Sequence, residues 1–190
     1  SLNTDILDEF FEKYPKQPFI IFGFTFMVWQ HFYYELKKNE KKYDMSEGWL
    51  MTGGGWKKLE SEAISRDMFK QEMNKVSGIH HFLDHYGMVE QTGCIYAECE
   101  CGHLHASNYS DVIIRDYKDF SVVPNGQKGI IQVVSVLPHS YPGHSLLTED
   151  EGIVLGEDDC PCGRKGKYIQ IIGRMKNAEL RGCSDTYRSE

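Results

Sequence analysis

The sequence predicts an α/β fold, in which a partial parallel sheet with crossover helices is followed by a small antiparallel, β-rich subdomain. Strand and helix patterns alternate through the first half of the chain, as they do in parallel sheets. After about residue 93, short β-rich runs follow one another with turn residues between them. The 190 residues, of which 41% are hydrophobic, are enough to bury a sizeable core. We expect two domains, residues 1–93 and residues 94–190.

The helices and strands of the first domain are predicted from the spacing of apolar residues and from the residues that begin or end each element. Caps at Asn3-Thr4-Asp5 open a helix that ends before Pro15. The apolar spacing of three and four residues over Ser61–Val76 is typical of an amphipathic helix. The other predicted elements are a strand at 18–23, a helix at 26–38, a strand at 49–52 and a strand that ends before Tyr86.

The second domain is predicted to be antiparallel because its strands are separated by short turns. Pro124-Asn125-Gly126 and Pro142-Gly143 are turn sequences. The predicted strands are Ile95–Glu98, Val112–Arg115, Gly129–Val136, Ser145–Thr148 and Tyr168–Ile172.

Charge and hydropathy exclude several classes of protein. The net charge of −7 disfavours nucleic-acid binding, which needs clustered Lys and Arg. The longest apolar run, Phe19–Trp29, is much shorter than the roughly 20 residues of a membrane span. With no signal peptide evident and thiols that need no disulfides, we expect a cytoplasmic protein. Because Ser1 is not a start methionine, we expect a piece of a longer chain.

Two Cys-x-Cys pairs predict a metal site. Zinc prefers thiolate and imidazole ligands in a tetrahedron, and two turns brought together would supply four of them. Buried thiols that pack as small hydrophobic groups are the alternative. A Cys₄ set and a Cys₃His set both remain open, and we expect a structural Zn²⁺ rather than a catalytic one. The five candidate ligands are Cys99, Cys101, His105, Cys160 and Cys162.

Two further segments follow predicted strands. The run Gly53, Gly54 and Gly55 would let a backbone approach a flat or anionic ligand, although a plain turn explains it equally well. Tyr86 could stack on a base and Glu90 could bind magnesium, since ligands bind at the carboxyl ends of strands in open α/β sheets. A turn between subdomains is the alternative for this second segment.

Several motifs in order resemble those of the adenylate-forming superfamily of acyl-CoA synthetases and luciferases. Tyr86-Gly87-Met88-Val89-Glu90 resembles its Tyr-Gly-x-Thr/Ser-Glu motif, and Thr148-Glu149-Asp150 resembles its Thr-Gly-Asp motif. Gly173-Arg174, continued to Arg181-Gly182, resembles its hinge motif. Cys160–Arg164 is similar to the phenylacetate–CoA ligase branch. The glycine run and the segment 178–186 look most like the acyl-protein synthetase (LuxE-type) family of bacterial bioluminescence.

The resemblance implies the fold of the adenylate-forming N-terminal domain and a set of roles. The glycine run would lie against the adenine of ATP, with Tyr86 and Gly87 beside the ring. Glu90 would bind Mg²⁺. Asp150 would accept hydrogen bonds from the ribose hydroxyls, and Arg174 would contact the ribose or a phosphate. Cys183 stands where the family has a cysteine that accepts the acyl group as a thioester.

The implied reaction is ATP-dependent activation of a carboxylic acid, expected to be a fatty acid, followed by acyl transfer to a thiol. Coenzyme A or an acyl reductase is the expected further partner. A phenylacetate-type acyl-CoA ligase and a non-catalytic, zinc-stabilised module are the alternatives. Val89 replaces the usual hydroxyl residue, Lys176 replaces the hinge aspartate, and no phosphate loop is found. The chain therefore resembles a C-terminal half that is inactive alone.

Overall fold

The structure, a computed structural model, describes residues 2–39 and 42–175. The chain divides into two compact units. The first contains the residues up to Val89 together with Ile95–His105, and the second contains Glu90–Cys94 and the chain from Ala106 onward. The domain boundary predicted at residue 93 stays a prediction.

Five strands form the sheet of the first unit, in the order β1-β2-β3-β4-β5. The first three strands are parallel to one another, whereas β4 and β5 pair antiparallel. The strands are β1 (Phe19–Phe24), β2 (Gly48–Gly53), β3 (His81–Gly87), β4 (Ile95–Glu98) and β5 (Leu104–His105). The parallel sheet predicted for the first half is confirmed, while β5 was not predicted.

One helix, α1 (Thr4–Lys13), precedes the parallel strands, and the other helices connect them. Between β1 and β2, α2 (Thr25–Met27) runs through a π-helical segment (Val28–Tyr33) into α3 (Tyr34–Lys38). Between β2 and β3 lies α4 (Arg66–Ser77). A 3₁₀ segment, Lys57–Glu62, precedes α4. The helix predicted from Ser61 begins only at Arg66, because the side chain of Ser65 caps it by accepting a hydrogen bond from the Met68 N–H.

The helices bury one face of this sheet. Leu50 and Met73 are fully buried, and the Trp29 ring stacks on Tyr33 with centroids 4.0 Å apart. Phe19 and Ile21 of β1 pack against the same core. Side chains alternate between faces along a strand, so the other face of β1 and β2 carries a second apolar surface. That surface, the bare face, is formed by Ile20 (71% exposed), Phe22 (67%), Phe24 (42%) and Trp49 (44%).

Four antiparallel strands form the second unit, in the order β9-β8-β7-β6. They are β6 (Ser110–Arg115), β7 (Lys128–Ser135), β8 (Ser145–Glu157) and β9 (Lys167–Arg174). Val112, Ile131, Val133 and Ile169 are fully buried among them. The predicted antiparallel, β-rich part is therefore confirmed.

Strand β8 is nine residues longer than the predicted strand at Ser145–Thr148. The acidic run that follows Thr148 looks like a loop, but its charges are paired across the ladder. Arg174 contacts Glu149 at 3.1 Å, and Lys128 contacts Glu151 at 2.8 Å. Opposite charges on neighbouring strands stabilise pairing, which explains the extension.

Among the described residues, no helix is both long enough and apolar enough to cross a membrane.

Candidate functional site

The predicted nucleotide-binding residues of the first unit meet at one edge of its sheet. Gly53 ends β2 and Gly87 ends the adjacent parallel strand β3, with Tyr86 just before it. The Tyr86 ring lies 5.8 Å from that of Tyr96, centroid to centroid. The carboxyl ends of parallel strands are where open α/β sheets bind ligands.

The three glycines of the run differ in their surroundings. A Cβ at Gly53 would lie 2.4 Å from the His85 ring, so this glycine makes room for that imidazole. Gly54 has a φ of +73°, a left-handed conformation that favours glycine. A Cβ at Gly55 would meet nothing within 4 Å. Close packing therefore explains Gly53 and backbone geometry explains Gly54, whereas neither explains Gly55.

A small cavity of about 140 Å³ opens beside Gly54. Its lining combines apolar and aromatic side chains with a carboxylate and a guanidinium. Its lining is Thr25, Gly54, Trp56, Ile64, Arg66, Phe69 and Asp84. A flat, mostly apolar group with a hydrogen-bond donor at its edge suits such a lining.

Asp84 is the titratable acceptor in this cavity. Burial raises the pKa of its carboxyl, the neighbouring Glu98 adds to the increase, and Arg66 opposes it. One Asp84 oxygen accepts a 2.9 Å hydrogen bond from the backbone N–H of His85.

A buried carboxylate, Glu98, holds two of the residues that line the cavity, Arg66 and Asp84. It accepts hydrogen bonds from Arg66 at 2.8 Å, from Lys70 at 2.7 Å and from the Asp84 N–H at 2.7 Å. Arg66 also donates to the Thr52 hydroxyl at 3.0 Å. Burial alone would raise the pKa of the Glu98 carboxyl, but the two cations outweigh burial and hold it below its ordinary value.

The second unit brings two predicted residues together. Asp150 in β8 lies opposite Arg174 in β9 in the antiparallel ladder. The Thr148 hydroxyl accepts a 3.1 Å hydrogen bond from the Asp150 N–H, and Arg174 donates to Glu149 at 3.1 Å. Glu90 lies in the short 3₁₀ helix Val89–Gln91 and is exposed. Cys183 lies outside the described residues.

Two turns of the same construction carry the predicted metal ligands. In Cys99-Glu-Cys101-Gly102 and in Cys160-Pro-Cys162-Gly163, the glycine N–H donates to the first cysteine's carbonyl at 2.9 Å. Both glycines have a left-handed φ, +77° for Gly102 and +82° for Gly163. In the second turn the Arg164 N–H also lies 3.4 Å from the Cys162 Sγ.

The structure places the five predicted ligands differently within their own units. In the first unit, Cys99 and His105 are buried and Cys101 is exposed. In the second unit, Cys160 is buried and Cys162 is half-buried. Because a structural zinc site is closed, the burial of His105 and the exposure of Cys101 favour His105 as a ligand.

Sequence reasoning missed several polar residues at the cavity and at the sheet edge, namely Arg66, Asp84, His85 and Glu98. Asp84 and His85 could have been found from the sequence, because they are polar residues at the carboxyl end of the strand that is predicted to end before Tyr86. Arg66 and Glu98 are 32 positions apart and become recognisable only as partners in the fold.

Two curated proteins are similar to this chain in sequence. The chain is 28% identical over 142 residues to the long-chain-fatty-acid–luciferin-component ligase of Vibrio harveyi, covering 72% of this chain and 35% of that protein. It is 24% identical over 175 residues to the ligase of the same name from Aliivibrio fischeri, covering 90% of this chain and 46% of that protein. The chain thus spans less than half the length of these curated relatives.

Among solved structures, an open conformation of 2-hydroxyisobutyryl-CoA ligase superposes with a TM-score of 0.68. The match has 18% identity and covers 91% of this chain and 39% of that one. This likeness confirms the predicted adenylate-forming fold. The family profile described as acyl-protein synthetase, LuxE, matches residues 5–190. The chain therefore belongs to the acyl-protein synthetase (LuxE) family.

Proposed function

We propose that this chain takes part in activating a carboxylic acid with ATP, to give an acyl-adenylate and pyrophosphate. The observation that carries the proposal is the cavity between Gly54 and Asp84, at the carboxyl edge of β2 and β3 in a chain of this family. Its aromatic lining residues and its half-buried acceptor, Asp84, suit a purine ring that carries an exocyclic amine. The acid attacks the α-phosphate, so charge stabilisation there matters more than a general base.

Each predicted residue has a role in that proposal. Gly54 lies along the adenine, Tyr86 and Gly87 flank the ring, and Asp84 accepts a hydrogen bond from the amine. Asp150 accepts hydrogen bonds from the ribose hydroxyls. Arg174 contacts the ribose or a phosphate once its ion pair with Glu149 opens. Glu90 provides carboxylate oxygens, the ligands that Mg²⁺ prefers.

The proposed acid is a long-chain fatty acid, in keeping with the names of the two curated relatives. The acyl group then passes to a thiol, either Cys183 or that of coenzyme A. An acyl reductase is the proposed consumer of the product. None of the five described cysteines forms a disulfide, which suits a reducing compartment such as the cytoplasm.

We propose that the activation step also requires the part of the relatives' sequence that this chain does not match. The bare face of Ile20, Phe22, Phe24 and Trp49 supports this part of the proposal, because a strand face with so many exposed large apolar groups normally packs against another layer. We expect the phosphate loop to lie in the part of the relatives that this chain does not match, and the chain alone to be inactive in acid activation.

A zinc ion on Cys99, His105, Cys160 and Cys162 is the proposed metal. Three thiolates and one imidazole fill the tetrahedron that Zn²⁺ prefers, and leave no position for substrate. Its proposed role is therefore structural: it holds the two turns and takes no part in the reaction.

Calorimetric titration with a non-hydrolysable acyl-adenylate analogue tests the nucleotide site, with AMP as the control ligand. We expect saturable binding that is lost in Asp150→Ala. Glu157→Ala, in the exposed end of the same strand, is the matched control and should bind normally. A folded chain that binds neither ligand would contradict the proposal. Equal affinities of the wild-type protein and Asp150→Ala would contradict it too.

Acyl transfer separates self-acylation from coenzyme A ligation. If Cys183 accepts the acyl group, Cys183→Ser abolishes labelling of the protein by a radioactive acyl-adenylate. If coenzyme A is the direct acceptor, the same variant still forms acyl-CoA at the wild-type rate.

A further inference from the structure

Arg66, which lines the cavity beside Asp84, is held in place by three contacts. Its guanidinium donates hydrogen bonds to Thr52 at 3.0 Å and to Glu98 at 2.8 Å. Its guanidinium carbon also lies 5.4 Å from the centroid of the Phe69 ring, which lines the same cavity. A planar guanidinium held in this way has little freedom to turn, so its remaining N–H groups have fixed directions.

The guanidinium keeps donors that these contacts do not use. An arginine side chain has five N–H groups, and the bonds to Thr52 and Glu98 use two of them. Another, the Nε–H, is buried and meets no acceptor among the described residues. Since an unpaired buried donor costs free energy, a ligand that brings an acceptor to Arg66 gains from it.

The charges at this cavity favour a neutral ligand. Two cations, Arg66 and Lys70, bind the carboxylate of Glu98 at 2.8 Å and 2.7 Å. A phosphate or a carboxylate in the cavity would be repelled by the Asp84 carboxylate, and Arg66 is already paired with Glu98. A neutral group that has both a donor and an acceptor suits Asp84 and Arg66 together.

Adenine is a flat, neutral ring with such a pair of groups. Its amine donates, and the ring nitrogens N1 and N7, which flank the amine, accept. Asp84 and Arg66 are close enough to contact neighbouring atoms of one ring, because the same Glu98 oxygen accepts from the Asp84 N–H and from Arg66.

We propose that Arg66 is a specificity-determining residue for adenine, an inference that rests on the proposed function. An N–H of its guanidinium donates to the ring nitrogen beside the amine, while Asp84 accepts from the amine itself. The two side chains together select a base that has a donor next to an acceptor, in that order.

Lys70 offers a matched control for Arg66. It is the other cation that binds Glu98, and the two side chains are similarly exposed, 28% for Lys70 and 25% for Arg66. Lys70 is not one of the residues that line the cavity. Removing either cation weakens the support of Glu98, but only the loss of Arg66 takes a donor from the cavity.

The contact with the ring nitrogen is tested first on the wild-type chain, by calorimetric titration with AMP, 1-deaza-AMP and 7-deaza-AMP. Each analogue replaces one ring nitrogen by a C–H group and keeps the amine. We expect one analogue to bind roughly tenfold more weakly than AMP and the other to bind like AMP, because one charge-assisted hydrogen bond is lost. The weaker analogue identifies the nitrogen that Arg66 contacts.

Arg66→Met and Lys70→Met then separate recognition of the base from support of the fold, after thermal unfolding has shown that each variant is folded. In Arg66→Met, AMP should bind roughly tenfold more weakly, and its advantage over the weaker analogue should disappear. Lys70→Met should keep that advantage. An advantage that persists in Arg66→Met, or that is lost equally in both variants, would overturn the inference.

The outcomes separate the two levels of the proposal. If the folded wild-type chain binds neither AMP nor an acyl-adenylate analogue, the nucleotide site of the proposed function fails and the role of Arg66 falls with it. If AMP and both deaza analogues bind the wild-type chain equally well, only the inference about Arg66 is wrong. That comparison needs no variant, so it decides even if Arg66→Met does not fold.

Discussion

Arg66 joins two places that are far apart in the sequence: one guanidinium nitrogen donates to Glu98 at 2.8 Å and the other donates to the Thr52 hydroxyl at 3.0 Å. Thr52 immediately precedes the glycine run, and Glu98 immediately precedes the first cysteine turn. The ion pair therefore links Arg66, which lines the cavity, to the end of β4, directly before Cys99.

Replacing Glu98 by Gln should destabilise the first unit by about 2 kcal/mol. The change leaves Arg66 and Lys70 without their carboxylate, and removing one partner of a buried charged hydrogen bond is costly. Chemical denaturation measures the loss. Glu100→Gln, the same substitution at an exposed position two residues later, should change the free energy of unfolding by less than about 0.5 kcal/mol. Equal effects of the two substitutions would show that the buried pair adds nothing.

The Glu98 carboxylate also makes the free energy of unfolding depend on pH in the acidic range. Because the pKa of Glu98 is lower in the folded chain than in the unfolded one, its contribution is present above the unfolded value. It is lost as the pH falls through the folded value. Glu98→Gln should therefore lose less stability than the wild-type protein on acidification. Parallel acid-denaturation profiles for the two proteins would contradict this.

Sequence pattern predicted most of the strands and the two Cys-x-Cys turns, because these depend on local signals. The apolar run of β1 and the glycine that ends it predicted a strand from neighbouring residues alone. Cys-x-Cys-Gly recurs as the same turn in both places because the conformation is local to four residues. The sequence did not distinguish Cys101 from His105, since both lie near Cys99, whereas in the structure His105 is buried and Cys101 is exposed.

The cavity could not be predicted, because its charged groups and the carboxylate that binds them come from different elements. Asp84 comes from β3 and Arg66 from α4, and Glu98, which binds both, comes from β4. A single sequence without the fold offers no signal that a guanidinium at one position neutralises a carboxylate 32 positions away. The length of β8 escaped prediction for the same reason, since Glu149 and Glu151 are compensated by distant cations.

Replacing Gly53 by Ala should destabilise the protein by about 1–3 kcal/mol, because the new methyl group would occupy the space of the His85 ring. Gly55→Ala is the matched control, since its methyl would meet nothing within 4 Å. Thermal unfolding of both variants measures the difference. In a double-mutant cycle, Gly53→Ala should cost much less in a His85→Ala background. An undiminished cost would show that the imidazole is not the obstacle.

The zinc ion that we propose for the two cysteine turns predicts the metal content of the purified protein. Protein purified from zinc-supplemented cells should contain one zinc ion per chain by elemental analysis, and a strong chelator should lower its melting temperature. Cys160→Ser should lose the metal because it removes a buried ligand. Cys101→Ser, an identical substitution at the exposed cysteine, should retain it. Loss of zinc in both variants, or retention in both, would contradict the Cys₃His set.

Replacing Asp84 by Asn should weaken binding of AMP and of an acyl-adenylate analogue roughly tenfold, because the amide has one acceptor oxygen where the carboxylate has two. The backbone N–H of His85 already uses one Asp84 oxygen, so the asparagine must present an N–H group either to that donor or to the adenine amine. Calorimetry against adenosine and inosine monophosphate separates the two cases. Wild-type protein should prefer the adenine nucleotide, and the preference should shrink or reverse in Asp84→Asn, because inosine carries a carbonyl acceptor in place of the amine. An unchanged preference would exclude Asp84 from the adenine edge.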